Sequence, residues 1–266
     1  MLKSKKLKDN PLISIVTVVF NGEEFLEETI KSVLNQTYDN LEYIIIDGGS
    51  VDGTVDIIKK YENRISYWLS EGDNGIYDAM NKGIKIANGK WINFMNAGDK
   101  FYNNDICYEI FNDGKYFTDA DILYGDLIVD YGEFQRFAKV DSLDNMWRGM
   151  VFSHQSAFIK TSYHQKNIYS LNYKIGGDLE FFYQAFNNGR RFKYIDKIVS
   201  IMEVDGFSDS HRFHSIWQKH QIVNDYKFSL RYNIYYIYLY VDQCFRKIAK
   251  KILPSNIVNI IKKKGF

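Results

Sequence analysis

The sequence predicts an α/β fold in which helices flank a mostly parallel central sheet. Two strand–turn–helix units near the start of the chain carry this prediction. Residues 13–20 and 44–46 are dominated by apolar side chains, which is typical of parallel strands buried on both faces. Each run stops at a turn signal, Asn21-Gly22 or Gly48-Gly49, and a helical pattern follows. This order favours βαβ topology.

The first helix is predicted over residues 23–36. Acids in its first turn suit the helix dipole, and its apolar residues recur at helical spacing: Phe25, Leu26, Ile30, Val33 and Leu34. After the second strand, Ser50 or Asp52 can cap the next helix.

Later elements follow the same alternation of patterns. We predict a short strand at 65–69, a helix at 74–87 capped by Asp73, a strand at 91–95 and a strand at 121–129 interrupted at Gly125. A strand at 156–160, a helix at 178–188 and a strand at 192–195 come next, and from residue 215 the chain is helical in character.

Composition narrows the class of protein. A chain of 266 residues can bury one large core, and a net charge of +1 gives no reason to expect a nucleic-acid partner. Cys107 and Cys244 lie too far apart for a metal motif, which fits a reducing compartment. No apolar run follows the basic residues 1–8 as in a secretory signal, and none reaches the about 20 residues of a membrane span. We therefore expect a cytoplasmic protein.

Asp47 ends the second strand, where open α/β sheets bind their ligands. A carboxylate at this position accepts hydrogen bonds from a base or a ribose but repels phosphate. Asp47 therefore suits the nucleoside end of a nucleotide.

Two further acids are expected in the same cleft. Asp78 lies in the opening turns of a helix, and Asp99 follows the strand at 91–95. Taken alone, Asp73 is best explained as a helix cap and Asp99 as a turn residue. Several carboxylates in one cleft need a cation, and Mg²⁺ commonly binds one or two carboxylates together with phosphates. The combined spacing favours a metal role for Asp99.

Asp178 opens the helix predicted at 178–188 and is either a helix cap or a general base. Glu180 lies two residues on and faces away from it, so we choose Asp178 as the base. His154 has no Ser or Cys nucleophile at a suitable spacing, and we expect it to be structural. The other histidines are expected at the surface: His164, His211, His214 and His220.

Five segments, taken in order, resemble the family 2 glycosyltransferases of GT-A fold, and most closely the bacterial branch that builds capsule, O-antigen and colanic-acid-type polysaccharides. They are 17–22 (Thr-Val-Val-Phe-Asn-Gly), 32–37 (Ser-Val-Leu-Asn-Gln-Thr), 47–54 (Asp-Gly-Gly-Ser-Val-Asp-Gly-Thr), 73–83 (Asp-Asn-Gly-Ile-Tyr-Asp-Ala-Met-Asn-Lys-Gly) and 96–99 (Asn-Ala-Gly-Asp). The resemblance covers roughly residues 12–210. It implies a Rossmann-like sheet with a nucleotide-binding part at 12–130 and an acceptor part at 131–214.

The resemblance also implies roles for single residues. Thr17, Asn21 and Asp47 would hold the nucleoside, and Asp78 and Asn96 would lie by the nucleotide and donor sugar. Asp99 would bind Mg²⁺ or Mn²⁺ in the motif written D-x-D, whose first acid is replaced here by Ala97. Asp178 would be the general base, preceded by Gly177 where the family usually has Glu. The segment 206–208 (Gly-Phe-Ser) resembles a loop near the diphosphate.

The expected function is an inverting transfer of sugar from a nucleotide-sugar, with UDP as the nucleotide, to a hydroxyl of a glycan or lipid-linked acceptor in surface polysaccharide synthesis. A nucleotidyltransferase is the first alternative, but residues 16–24 lack the Gly-rich basic phosphate loop it would show. A non-catalytic nucleotide-sugar-binding protein is the second, supported by the reduced metal motif and the missing Glu. A nicotinamide dehydrogenase is disfavoured because no G-x-G-x-x-G follows the first strand.

The two ends of the chain differ from the domain at 12–214. Residues 1–11 form a basic lead, and residues 215–266 form a helical, basic and aromatic tail with no acid after Asp242. The segment 231–266 either packs on the domain with a solvated basic face or lies on an anionic membrane surface. We favour the membrane, on the inner face of the plasma membrane, because a lipid-linked acceptor would be there.

Overall fold

The computed structural model describes residues 10–112, 114–116, 119–203 and 212–252. Nine strands lie within these ranges: β1 (Ile13–Val19), β2 (Leu41–Asp47), β3 (Tyr67–Ser70), β4 (Trp91–Phe94), β5 (Lys100–Phe101), β6 (Ile122–Asp130), β7 (Gln135–Ala138), β8 (Ala157–Lys160) and β9 (Phe192–Glu203). The segment 206–208 and His211 lie outside the described residues.

The helices of the described residues alternate with these strands. They are α1 (Leu26–Leu34), α2 (Thr54–Tyr61), α3 (Ile76–Ile86), α4 (Ile106–Phe111), α5 (Thr161–His164), α6 (Gly177–Asn187), α7 (Arg212–Tyr226) and α8 (Leu230–Ile252). Short 3₁₀ helices occur at Glu62–Arg64, Leu143–Arg148 and His154–Ser156. The tail boundary expected at residue 214 falls inside α7.

The strands form one mixed sheet in the order β3-β2-β1-β4-β8-β6-β9-β5, and β7 pairs with β6. The first four strands in this order are parallel, as the apolar runs predict. The second half differs, because β8 runs antiparallel to both β4 and β6. Trp91 pairs with Lys160 and Ile92 with Ile159, so the end of β8 lies beside the start of β4. The start of β8 therefore lies toward the carboxyl end of β4.

Gly125 does not interrupt β6 as expected. The strand continues through it, and the pairing with β9 changes register on either side of Asp126. A Cβ atom at Gly125 would lie 2.6 Å from Cγ2 of Val199. The Val199 side chain of β9 therefore fills the space that a larger residue at position 125 would need. The strand β9 is longer than predicted and reaches Glu203.

Two apolar cores cover the two faces of the sheet. One includes Ile15, Leu26 and Ile58 and lies under α1, α2 and α4. The other includes Val16, Met80 and Phe182 from β1, α3 and α6, and it also receives Ile222 and Tyr236 from α7 and α8. The C-terminal helices therefore pack on the sheet domain. The loops that follow β1, β2, β3 and β4 all open at one edge.

Candidate active site

The loops after β1 and β2 are joined to each other at this edge. Asn21 has a positive φ of 49°, a conformation that Asn tolerates better than most residues. Its backbone N–H donates to Oγ of Ser50 at 2.7 Å, and its Oδ1 accepts from the N–H of Val51 at 2.9 Å. Asn21 therefore fixes the loop after β2.

Asp47 lies beneath that loop and is fully buried. Its Oδ2 accepts from the N–H groups of Gly49 and Ser50 at 3.2 and 3.0 Å and from the Ser70 hydroxyl at 2.6 Å. Its Oδ1 accepts from the Ser50 hydroxyl. The carboxylate organises the loop from inside, so its own oxygens are not open to the cleft in this structure.

Thr17 is also fully buried. Its hydroxyl donates to the carbonyl of Met95 at 2.7 Å and lies 3.0 Å from the Tyr43 hydroxyl. The side chain expected to hold the nucleoside thus ties β1 to the turn after β4 and does not reach the cleft.

Asp78 and Asp73 both order the loop before α3. Oδ2 of Asp78 accepts from the N–H of Asn74 at 3.0 Å, and Oδ1 of Asp73 accepts from the N–H of Gly75 at 2.8 Å. Gly75 rather than Asp73 occupies the N-cap of α3. Asp78 is half-buried in the first turn of α3.

Asp99 and Asn96 lie in the turn between β4 and β5, and both are buried. Oδ2 of Asp99 accepts from Nε2 of Gln155 at 2.7 Å. Burial raises the pKa of the Asp99 carboxyl to about 7, against the opposing hydrogen bond from Gln155. Oδ1 of Asn96 has no hydrogen-bond partner among the described residues.

The sequence did not indicate a role at the site for His154, but the structure places this residue between Asn96 and Asp178. Its Nε2 lies 3.0 Å from Nδ2 of Asn96, and its Nδ1 lies 3.5 Å from Oδ2 of Asp178. The Asn96 amide nitrogen can only donate, so Nε2 accepts and Nδ1 carries the proton. The imidazole therefore presents an N–H to the carboxylate of Asp178.

Asp178 lies in the first turn of α6, where Oδ1 accepts from the N–H of Leu179 at 2.8 Å. The Tyr77 hydroxyl lies 3.1 Å from the same oxygen and 2.8 Å from the carbonyl of Ile175. Burial raises the pKa of Asp178, but the neighbouring His154, with Leu179 and Tyr77, outweighs burial and holds it below its ordinary value. The carboxylate is therefore ionised near neutral pH.

Gly177 stands next to Asp178 for a packing reason. A Cβ atom at this position would lie 2.9 Å from Cε2 of Tyr77. The aromatic ring occupies the space that a side chain at this position would need.

Asp178 also lines a cleft of about 480 Å³. Its walls come from β6, β7, the 3₁₀ helix Leu143–Arg148 and the segment that follows: among others Leu127, Lys139, Asn145, Arg148 and Phe152. The cleft is large enough for a sugar ring or a short saccharide chain. Asp178 belongs both to the lining of this cleft and to the group of side chains around His154.

The structure thus brings Asn96, Asp99 and Asp178 together through His154 and Gln155, at the sheet edge that also carries Asn21 and Asp78. Within the described ranges, no group of three or more His, Cys, Asp or Glu side chains is arranged to hold a metal ion. The expectation for His164 is wrong, because this residue is fully buried among aromatic rings rather than at the surface.

The chain is similar to known proteins in sequence and in fold. Residues 14–199 match the family described as "Glycosyl transferase family 2". A "PGL/p-HBAD biosynthesis glycosyltransferase" of Mycobacterium bovis is 29% identical over 206 residues, covering 75% of this chain and 80% of the relative. An uncharacterised glycosyltransferase of Mycobacterium tuberculosis is 42% identical over 97 residues, 36% of this chain and 37% of the relative.

Two solved structures share the fold. TarS 1-349 from S. aureus in complex with UDP has a TM-score of 0.59 and 18% identity, over 81% of this chain and 70% of that one. The mannosyltransferase PcManGT from Pyrobaculum calidifontis, in complex with GDP-Man and Mn²⁺, has a TM-score of 0.66 and 13% identity, over 96% and 79%. The expected GT-A fold is confirmed. With 14–199 matched to the family model, the chain belongs to glycosyl transferase family 2.

Proposed function

We propose that this chain transfers a sugar, with inversion, from a UDP-sugar to a hydroxyl of a glycan or lipid-linked acceptor in surface polysaccharide synthesis. One observation carries the proposal: Asp178, ionised and held by His154, lies between the cleft of about 480 Å³ and the buried Asn96–Asp99 turn. An acceptor in the cleft and a donor over the turn would meet at this carboxylate.

The base role of Asp178 follows from its chemistry. An acceptor hydroxyl in the cleft loses its proton to the carboxylate as it attacks the anomeric carbon, and such general-base help contributes roughly 10²–10⁴-fold. Nδ1 of His154 lies 3.5 Å from Oδ2 of Asp178 and holds in place the carboxylate that lines the cleft. Direct attack by the acceptor from the side opposite the leaving group inverts the anomeric configuration.

The donor side is assigned to the joined loops. Asn21 and Asp78 line the nucleotide, while Asp47 and Thr17 support the nucleoside pocket from beneath. TarS was solved with UDP and with UDP-GlcNAc, and PcManGT was solved with GDP-Man. The two TarS complexes support UDP as the nucleotide here. The mycobacterial relative is named for biosynthesis, which supports a biosynthetic role.

The residues of the turn fit a divalent cation. The buried Asp99 carboxyl, with its pKa raised to about 7, has no cationic side chain bonded to it, and Asn96 Oδ1 is buried without a partner among the described residues. Asp99 and Asn96 would therefore hold Mg²⁺ or Mn²⁺, with phosphate oxygens supplying further ligands. When bound, the cation offsets the charge of the departing diphosphate.

The test is a panel of nucleotide-sugars, read out as release of nucleoside diphosphate with and without candidate glycan acceptors. Asp178→Asn should abolish transfer and leave UDP affinity nearly unchanged. Glu180→Gln, in the same helical turn but bonded to Tyr226, is the matched control and should keep most of the activity.

Two results would contradict the proposal. Near-normal turnover by Asp178→Asn would remove this residue as the base. UDP binding without sugar release from any donor would favour a non-catalytic nucleotide-sugar-binding protein.

A further inference from the structure

The helix α8 has two faces of different character. Its inner face packs on the domain: Tyr232 stacks on Trp147 with ring centroids 4.3 Å apart, and the buried Tyr236 donates from its hydroxyl to the Trp147 carbonyl at 2.9 Å. The aromatic content of the tail is thus partly explained by packing.

The opposite face of α8 carries a row of exposed apolar side chains, here called the outer stripe. Its members recur at helical spacing and are between 48% and 71% exposed: Leu230, Ile234, Ile237, Tyr238, Val241 and Phe245. Side chains at this spacing share one face of a helix. A contiguous exposed apolar face of this kind marks an interaction surface rather than ordinary scatter.

The basic residues of the C-terminal segment favour an anionic membrane over a second copy of the chain as the partner of the outer stripe. Asp242, the single acid of α8, is paired with Arg246 at 2.6 Å. From residue 243 to the end of the sequence there are seven basic residues and no acid. Two copies docked through the outer stripe would bring these positive segments together, which repels, whereas an anionic lipid surface attracts them.

The helix is suited to lie on a bilayer. None of the helices within the described ranges is long and apolar enough to cross a membrane. A helix with one apolar face and flanking basic residues lies in the interface plane, with its apolar side chains among the upper acyl chains.

We propose that the outer stripe inserts into the interface of an anionic membrane and that α8 is a membrane-docking helix. The docking is independent of the proposed reaction, but it gives that reaction a location. Trp147, which holds α8, belongs to the 3₁₀ helix Leu143–Arg148, and Asn145 and Arg148 of the same segment line the cleft beside Asp178. The cleft and the docking helix therefore share one wall.

The experiment is sedimentation of the full-length chain with vesicles of phosphatidylcholine, with and without phosphatidylglycerol. The wild-type chain should bind the anionic vesicles and release them partly at high salt. The double variant Ile234→Gln/Ile237→Gln should lower the partition coefficient about tenfold or more, because membrane affinity scales with buried apolar area.

The matched control is Ile168→Gln/Leu171→Gln, which changes two exposed apolar residues away from α8 and should bind like the wild type. Circular dichroism melting should show that both double variants are folded. A wild-type chain that does not bind anionic vesicles would overturn the proposal. So would equal binding by Ile234→Gln/Ile237→Gln, which would assign the lipid contact to other basic segments, or a lipid-free dimer that this variant abolishes.

Discussion

Nδ1 of His154 lies 3.5 Å from Oδ2 of Asp178, while Nε2 of the same ring lies 3.0 Å from Nδ2 of Asn96. The imidazole therefore joins the carboxylate that faces the cleft to the turn that carries Asp99. Because Asn96 donates to Nε2, Nδ1 carries a proton that is directed at Asp178. His154 is a positioning residue in the proposed reaction.

Replacing His154 should reduce turnover more than donor binding. We expect His154→Ala to lower kcat by about 10–100-fold, since a displaced catalytic group costs this much, with little change in the KM for the donor. His154→Asn keeps a donor near the position of Nδ1 and should recover part of kcat. Steady-state kinetics of both variants measure this. Equal loss in both variants, or an unchanged kcat in His154→Ala, would count against the positioning role.

Gly177→Ala tests the packing of Tyr77 against α6. The new Cβ would lie 2.9 Å from the ring, so Tyr77 must move and its hydroxyl must leave Asp178. We expect a loss of about 1–3 kcal/mol in unfolding free energy, typical of an overpacked core, and a lower kcat.

Gly72→Ala is the matched control for stability, because no heavy atom lies within 4 Å of a Cβ built there. Urea unfolding compares the two variants. If Gly177→Ala and Gly72→Ala lose the same unfolding free energy, the loss comes from replacing a glycine as such. The contact between position 177 and Tyr77 would then not be tight.

The parallel half of the sheet is predictable from sequence because β1, β2 and β4 are buried on both faces and appear as apolar runs. Asp47 and Asp99 follow two of these runs, and the sequence places both at the carboxyl edge. It does not show that Asp47 turns inward, since the bond from Ser70, which lies 23 residues away, depends on the tertiary structure.

His154 could not be assigned from sequence for a topological reason. A strand at 156–160 that ran parallel to β4 would place its preceding residues at the amino edge, far from Asp99. The antiparallel direction of β8 reverses this and delivers His154 and Gln155 to the carboxyl edge. The apolar pattern of residues 156–160 does not show the direction in which this strand runs. The sequence alone therefore does not bring His154 near Asp99 or Asp178.

Asp99→Ala tests the metal assignment. Affinity for UDP measured calorimetrically with Mn²⁺ should fall about tenfold or more, as expected when a metal loses its protein carboxylate, while affinity without metal should change little. Asp39→Ala, an exposed acid before β2 at the opposite edge, should behave like the wild type. An unchanged effect of Mn²⁺ on UDP binding by Asp99→Ala would remove this residue from the metal site.

His164 should make the stability of the fold depend on pH. The ring is fully buried between Phe181 and Tyr169, with centroids 4.3 and 4.8 Å away. Its Nδ1 donates to the carbonyl of Asn167 at 3.1 Å, and Nε2 has no hydrogen-bond partner among the described residues. Burial lowers the pKa of this imidazole from 6.5 to about 4, since a charge there would lose its hydration.

The sign follows from which state binds the proton. Between pH 6.5 and about 4 the unfolded chain protonates His164 and the folded chain does not, so stability is complete above this range and falls as the pH is lowered through it. The pKa difference corresponds to about 3 kcal/mol. Urea unfolding at pH 7.5 and at pH 5 should show a smaller loss for His164→Phe than for the wild type, whereas the exposed His214→Gln should keep the wild-type loss. An identical pH dependence in wild type and His164→Phe would show that acids or other histidines cause it.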